Sequence, residues 1–238
     1  MEHYQVDYHF GRRLRPDLIP QIFIENGSEG IPAIKIIFKV KNDGRALAKW
    51  PMFKAELYGC QIDGKYIRPR VTQKFVEYNC SHRTPFIQFI TSEIAIYPNS
   101  GLDLFEVCPI ASEDRVVIKV NIGGENVVTN RYFGCIYVPG MLEQIKTSHK
   151  PIEIQMFPEE RLSDIVEYIF KIAPPITDDD VMKGGKKVER GFVWRIYSAI
   201  FPDKSDEELD RLVEPLFKKN GGDSSNEPSS NTSGNEST

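Results

Sequence analysis

The chain has few of the residues on which redox and metal chemistry depend. Its 238 residues include only four cysteines and four histidines. The cysteines Cys60, Cys80, Cys108 and Cys135 are widely spaced, so they form no CxxC pair of the kind that zinc sites use. Each of them lies beside apolar or aromatic residues. We therefore predict four reduced, buried thiols and neither a metal nor another cofactor.

Long apolar runs are also absent from the sequence. No segment reaches the about 20 apolar residues that a membrane-spanning helix needs, and the charged N-terminus has no apolar core of a secretory signal. The net charge of −4 gives no overall attraction to nucleic acid or to an anionic membrane. We expect a cytoplasmic protein without a membrane partner.

The familiar catalytic and phosphate-binding motifs are missing too. The sequence contains no GxGxxG, GxxxxGK[ST], HExxH or GxSxG, which removes the usual basis for dinucleotide binding and for several hydrolase mechanisms. Cys80 and His82 place a nucleophile near a base, but no carboxylate is positioned by the sequence to orient the base. The run 178–180 has three aspartates without the spacing of a calcium loop, so we interpret it as a solvated linker. We predict that the protein is not an enzyme and keep a site at Cys80 and His82 as an alternative.

Apolar and polar residues alternate from Leu18 to about Met156, as in half-buried antiparallel strands. On the segment 34–42, one face carries Ile34, Ile36, Phe38 and Val40, and the other carries Lys35, Lys39 and Lys41. The run 123–126 predicts a hairpin turn. Many short strands without intervening helices favour two packed antiparallel sheets. We predict a mainly β fold, an antiparallel β-sandwich of immunoglobulin-like or related type, over residues 1–157.

The stretch VKNDGRALAKWPMF, residues 40–53, admits a structural and a functional interpretation. Small residues at 44, 46 and 48 allow backbones to approach where the chain crosses from one sheet to the other. Pro51 restricts Trp50 to extended geometry, which would direct the indole toward the edge of the core. The functional alternative is a basic patch for an anion or nucleic acid, made of Arg12, Arg13, Arg15, Arg45, Lys49 and Trp50.

A family resemblance rests on this stretch and on the segment before it. The sequence RRLRPDL, a following strand and then FKVKNDGRALAKWPMFKAELYG resemble the β-rich C-terminal region of bacterial proteins that carry a Schlafen-like ATP-binding domain at their N-terminus. The similarity covers Arg12 to Tyr58. That ATP-binding domain is absent here, so no nucleotide-binding residue is carried over. The resemblance implies an accessory or recognition domain, either free-standing or cut from a longer product.

After residue 157 the apolar period becomes helical, and we predict a helical C-terminal region over 158–219. The first helix has a stripe of Leu162, Ile165, Val166, Ile169 and Ile172 that should pack on the sandwich. The second offers a face for a protein partner, with Phe192, Trp194, Ile196, Tyr197 and Ile200 as its residues. The third begins at a capping box of Ser205 and Glu208, turns Leu209, Leu212, Val213 and Leu216 inward, and is kinked or ended by Pro215. Residues 220–238 have no large apolar side chain, so we predict a disordered tail.

Two functions follow from these features. The first is a non-catalytic accessory or protein-interaction module with an unidentified protein partner, which would bind an exposed edge strand or the second helix. The alternative is a nucleic-acid-binding accessory domain that uses a basic strip, because lysines on one strand face and the arginines near residue 12 would meet phosphates if folding brought them together.

Overall fold

The computed structural model describes residues 15–27, 34–80, 85–111, 115–148, 150–161, 164, 168, 194, 197–198, 201 and 204–219. The chain divides into two compact units, Met1–Pro174 and Pro175–Thr238. The first unit contains the strands that the sequence predicts, and the second contains the C-terminal helix. Among the described residues, no helix is long and apolar enough to cross a membrane.

One sheet of the first unit has five antiparallel strands. In spatial order they are β14 (Ile152–Ile154), β1 (Leu18–Asn26), β2 (Ile34–Asn42), β10 (Gly101–Val107) and β6 (Ile67–Pro69). β2 lies at the centre, and its inward residues are buried while its three lysines are partly exposed. The predicted alternation of this strand is confirmed.

The other large sheet has six antiparallel strands. In spatial order they are β15 (Phe157–Pro158), β13 (Val127–Tyr137), β12 (Arg115–Gly124), β4 (Met52–Tyr58), β8 (Phe86–Ile90) and β7 (Val76–Asn79). The predicted turn is confirmed, because the chain reverses between β12 and β13 at residues 125–126. Two small ladders join β3 (Ala48–Lys49) to β9 (Ala95–Ile96) and β5 (Cys60–Gln61) to β11 (Ile110–Ala111). Short 3-10 helices occupy Gly64–Tyr66, Gln73–Phe75 and Glu159–Arg161.

Aromatic rings from the two large sheets meet in the core. Phe38 of β2 lies with its ring centroid 6.0 Å from that of Phe53 on β4, and Phe105 of β10 is 5.9 Å from Phe53. All three side chains are essentially inaccessible to solvent. Edge-to-face contacts of this kind add to the hydrophobic stabilisation of burial. The inner faces of the two sheets therefore form one core, and the predicted mainly β fold with packed antiparallel sheets is confirmed; the immunoglobulin-like type stays a prediction.

A helix follows β13 where the sequence analysis expected strands alone. Helix α1, Val138–Ser148, buries Met141 and Ile145, which are four residues apart and therefore on one helical face. Pro139 lies in the first turn of this helix, where proline fits because the amide hydrogen it lacks has no helical partner there. The expectation of strands without an intervening helix was wrong at this point.

The second unit contains helix α2, Asp206–Lys219. The predicted capping box is confirmed: the backbone N–H of Ser205 donates to Glu208, and the backbone N–H of Glu208 donates to the Ser205 hydroxyl. Pro215 does not end the helix, which continues for four further residues. Leu209 and Val213 are buried, whereas Leu212 is 39% exposed and so does not face inward as predicted. A helix carries a narrow apolar stripe, and Leu212 lies at its margin.

The predicted first helix begins at residue 158, but Pro158 ends β15 and residues 159–161 form a 3-10 helix. Beyond them only Asp164 and Tyr168 of this helix are described, and both are helical. The ring centroid of Tyr168 lies 5.4 Å from that of Phe157 on β15. The apolar stripe predicted for this helix lies outside the described residues, and so does the predicted tail.

Candidate functional site

Asn42, at the end of β2, joins three separate segments of the chain. Its side-chain oxygen accepts hydrogen bonds from the backbone N–H groups of Asp17 and Gly44, at 3.1 and 3.0 Å. Its side-chain nitrogen donates to the carbonyl groups of Ala46 and Ile96, at 2.8 and 2.9 Å. The residue is fully buried, so its amide loses its hydrogen bonds to water, and these four bonds replace them.

Gly44 makes this junction sterically possible. A Cβ atom at residue 44 would lie 2.3 Å from the carbonyl oxygen of Arg15 and 2.4 Å from the backbone nitrogen of Asp17. Only glycine allows the two backbones to approach so closely. After this point the chain leaves the five-stranded sheet and enters β4 of the six-stranded sheet. The stretch 43–51 is therefore a crossing between the sheets, which agrees with its structural interpretation.

Trp50 corrects one part of that interpretation. Its φ angle is +49°, and its side chain is 51% exposed, so it neither adopts extended geometry nor points to the core. The side chain of Asn126 holds the preceding residues, with bonds to the backbone N–H of Lys49 at 2.9 Å and to the carbonyl of Leu47 at 2.8 Å. This connection turns the chain sharply at Trp50 and overrides the restriction that Pro51 imposes.

The described basic residues that were predicted to contact an anion or nucleic acid fall into two groups. The lysines of β2 pair with carboxylates: Lys35 with Glu25, Lys39 with Asp103 and Lys41 with Asp43. These lysines therefore do not form a free cationic strip.

A second group of basic residues belongs to the sheet crossing. Arg15, Arg45 and Lys49 are exposed and have no ion partner within the described part of the chain. The backbone N–H of Arg45 donates to the carbonyl of Arg15, so the structure brings these two predicted residues together. Arg12 and Arg13 lie outside the described residues.

An open groove crosses the outer face of the six-stranded sheet at the same end. It has a volume of about 550 Å³, and we call it the Trp50 groove after its residues Trp50, Met52, Phe75, Ile90 and Thr129. Strand register places Ile90 beside Met52 and Met52 beside Gly123. At residue 123 only glycine leaves room for the Thr129 hydroxyl oxygen, which would lie 2.8 Å from a Cβ atom there. Ile90 is 48% exposed and adds apolar surface to the groove beside Met52.

On the outer face of each large sheet, a central glutamate forms ion pairs and hydrogen bonds with neighbouring basic side chains. Glu106 accepts a hydrogen bond from Arg70 Nε at 3.1 Å, and Lys35 and Arg68 lie within 4.0 Å. On the other sheet, Glu56 contacts Lys54 at 2.8 Å and Lys119 at 3.2 Å.

The Tyr58 hydroxyl also donates to Glu56, at 2.9 Å. Burial alone would raise the pKa of Glu56, but hydrogen bonds from Lys54, Lys119 and Tyr58 and the charge of Lys119 lower that pKa overall. Burial and the neighbouring Glu56 carboxylate raise the pKa of Tyr58. A paired network of this kind stabilises the sheet face, and the opposite pKa shifts of Glu56 and Tyr58 move both groups further from neutral pH.

Burial makes the cysteine thiols less acidic and therefore poorer nucleophiles. Burial raises the pKa of Cys60 and of Cys135 to about 12. Burial, and secondarily the charge of Asp63, raises the pKa of Cys80, so its thiolate form is disfavoured at neutral pH. His82 lies outside the described residues. No group of three metal-ligating side chains occurs within the part of the chain that is described, and the aspartates 178–180 lie outside it.

The predicted helical contact face is described only at two positions. Tyr197 is 9% exposed and packs against Phe201 with ring centroids 6.1 Å apart, so most of its surface is already covered. Trp194 is partly buried. Phe192, Ile196 and Ile200 lie outside the described residues.

Sequence reasoning missed Asn42 and four of the groove residues. Asn42 continues the inward phase of Ile36, Phe38 and Val40, and a polar residue at an inward position needs internal hydrogen bonds. Met52 and Ile90 are apolar residues at outward positions of their strands. These departures from alternation were the available signals.

Comparisons with known proteins add little to this description. No family model and no curated protein matches the chain. A Bordetella pertussis protein assigned as ApaA, known from a crystal structure, is 10% identical with a TM-score of 0.30, over 61% of this chain and 94% of that one. A likeness at this level supports no inference about function.

Proposed function

We propose that the chain is a non-catalytic, cytosolic accessory module that acts through protein contacts. The Trp50 groove carries the proposal, because it exposes Trp50 and Ile90 beside Met52 on a sheet face whose centre carries an ion-paired network. Exposed aromatic and aliphatic side chains around a groove are typical of protein-binding surfaces. The raised pKa of Cys80 supports a non-catalytic role.

The groove can be tested with two matched substitutions of exposed aliphatic residues. Ile90→Asp places a charge in the groove, whereas Val128→Asp places one on β13, where Val128 is 66% exposed and does not line the groove. The tagged full-length protein and both variants would be used for affinity capture from native lysate with nuclease present. We expect Ile90→Asp to reduce the recovered partner at least about tenfold and Val128→Asp to leave it unchanged.

Equal recovery with wild type and Ile90→Asp would contradict the proposal. A circular-dichroism melting curve for each variant would separate lost contact from lost folding. Deletion of residues 190–238 gives a second comparison, because retained capture by that truncation would exclude the second predicted helix as the contact.

A nucleic-acid accessory role is the second candidate. Arg15, Arg45 and Lys49 lack ion partners among the described residues, and Tyr97, which directly follows β9, is 68% exposed on the same end. Cations beside an exposed ring suit a single-stranded nucleic acid. Exposed Asp17 and Glu125 lie at this end too and reduce its net positive charge, which is why protein contact ranks first.

Salt dependence tests this second candidate. Three phosphate contacts on a single strand predict about a 20-fold loss of affinity between about 50 and about 200 mM salt. Lys49→Ala should weaken binding of a fluorescent oligonucleotide, and Lys39→Ala should not, because Lys39 is already paired with Asp103. An affinity that does not depend on salt concentration would contradict nucleic-acid recognition. Equal effects of the two substitutions would contradict it too.

A further inference from the structure

The two sheets leave a cavity at the end of the sandwich opposite Asn42. β2 runs from this cavity, at Ile34 and Ile36, to the Asn42 junction at its other end. The cavity has a volume of about 180 Å³. Its wall is completed by Val116 of β12, Ile136 of β13, Val138 at the start of α1 and Ala111 of β11.

The chemistry of this wall restricts what the cavity can hold. The described lining residues are all aliphatic or proline, so they carry no side-chain donor, acceptor or charge. A water molecule in this space finds no side-chain hydrogen-bond partner, so its replacement by hydrocarbon is favourable. Protein interiors have few voids larger than a water molecule, since side chains around an empty space lose their dispersion contacts. A space of this size therefore fits a hydrocarbon occupant.

The opening of the cavity indicates the shape of that occupant. Ile110 lines the cavity and is 48% exposed, and the neighbouring Ala111 is also exposed, so an apolar path leads from solvent into the space between the sheets. None of the described lining residues is aromatic, so the wall offers no ring for stacking. A flexible chain can enter by this path while a polar group at its other end stays in water.

We propose that this cavity binds the end of an alkyl chain about six carbons long, since a comparable cavity of about 150 Å³ accommodates benzene. The polar end of the ligand remains outside, beside Ile110. This site is separate from the Trp50 groove, so it stands whether or not the groove binds a protein.

A homologous series of straight-chain 1-alkanols, from butanol to decanol, tests the proposal on the full-length protein. Each added methylene should lower Kd about fourfold while it enters the cavity. The gain should stop near hexanol, when the cavity is full. Isothermal titration calorimetry would measure the series. Absence of saturable binding, or a Kd that keeps falling through decanol, would overturn the proposal, because the second result indicates adsorption to an open apolar surface.

Nuclear magnetic resonance adds a readout that needs no variant. Hexanol should shift the methyl resonances of Ile34 and Ile136, which line the cavity, and leave those of Ile87 unchanged. Ile87 is equally buried on β8 but does not line the cavity. Equal shifts at all three residues would overturn the assignment of the site.

Two matched substitutions locate the binding further. Ala111 ends the β11 ladder and lines the cavity, whereas Ala95 begins the β9 ladder and does not line it. Ala111→Leu should weaken hexanol binding at least about tenfold by filling the space, and Ala95→Leu should leave Kd unchanged. Equal effects would contradict the cavity as the site.

Lipid vesicles distinguish the two sources from which the bound alkyl chain could come, a bilayer lipid and a free amphiphile. Flotation with phosphatidylcholine vesicles that Ala111→Leu abolishes would identify a bilayer lipid as the source, and alkanol binding without flotation would identify a free amphiphile.

Discussion

The two ends of β2 close the sandwich in opposite ways. At one end, the Asn42 amide satisfies four backbone groups from three segments, and Gly44 lets the backbones approach. At the other end, aliphatic side chains such as Ile34 and Ile136 surround a space of about 180 Å³. One end is specified by directional hydrogen bonds, and the other is packed only by shape. The comparison implies that the first end is rigid and intolerant of substitution, while the second can adapt to a ligand or a larger side chain.

Substitution of Asn42 should have the largest effect on stability. Asn42→Ala leaves two carbonyl groups and two N–H groups, all buried or partly buried, without their side-chain partner, so we expect a loss of about 3 kcal/mol in the free energy of unfolding. Asn126→Ala is the matched control, because that amide also joins two segments but is exposed, and water can replace it at a cost of about 1 kcal/mol. Urea unfolding of both variants would measure the difference. Equal losses would show that the buried hydrogen bonds of Asn42 contribute no more to stability than the exposed ones of Asn126.

A methyl group at Gly44 should have the next largest effect. Gly44→Ala drives a Cβ atom into the backbone at residues 15–17, and we expect a loss of about 2 kcal/mol as the strands separate. Gly101→Ala is a milder control on the neighbouring strand, because its Cβ atom would lie 3.2 Å from the carbonyl of Val40. Thermal unfolding would rank the two variants. A Gly101 effect as large as that of Gly44 would contradict the close approach at the crossing.

The cavity end should respond weakly to loss of a methyl group. Ile136→Val removes a methyl group beside existing empty space, so we expect a loss of about 0.5 kcal/mol. Ile118→Val, on the neighbouring strand in the closed centre of the core, should cost about 1.5 kcal/mol, because that methyl group has neighbours on every side. The same urea experiment measures both. A larger effect at residue 136 would mean that the cavity end is as tightly packed as the centre.

The sequence predicted the individual strands, but not the long-range contacts that make the two ends of β2 different. Alternation identified β2, β4 and β12, because each strand carries its inward phase in its own residues. The function of Asn42 depends on Ile96, 54 residues away, and local periodicity contains no information on such a partner. The same limitation applies to the Trp50 groove, which is assembled from separate segments between residues 50 and 129.

Turn residues produced the two clearest errors. The start of α1 was not predicted, and it contains Pro139 and Gly140, a pair that fits both a turn and the first turn of a helix. Pro51 predicted extended geometry for Trp50, but the contacts of Asn126 with the preceding residues outweigh that local preference. In both places, packing after folding decided between conformations that the local sequence allows.

The outer face of the six-stranded sheet offers a last test, in which the stabilising group is a charged carboxylate and not the neutral amide of Asn42. Glu56 has a lowered pKa in the folded protein, so its ionised form adds stability above its ordinary value of 4.5, and that stability is lost as the pH falls through the folded value. Glu56→Gln should lower stability by about 1 kcal/mol at pH 7 and match wild type in strong acid, because both side chains are then neutral. Glu93→Gln is the control, since its pair with Lys74 is exposed and contributes little. Urea unfolding at a series of pH values would measure the difference. A constant gap between Glu56→Gln and wild type at every pH would mean that shape, and not charge, holds this face, as at the cavity end.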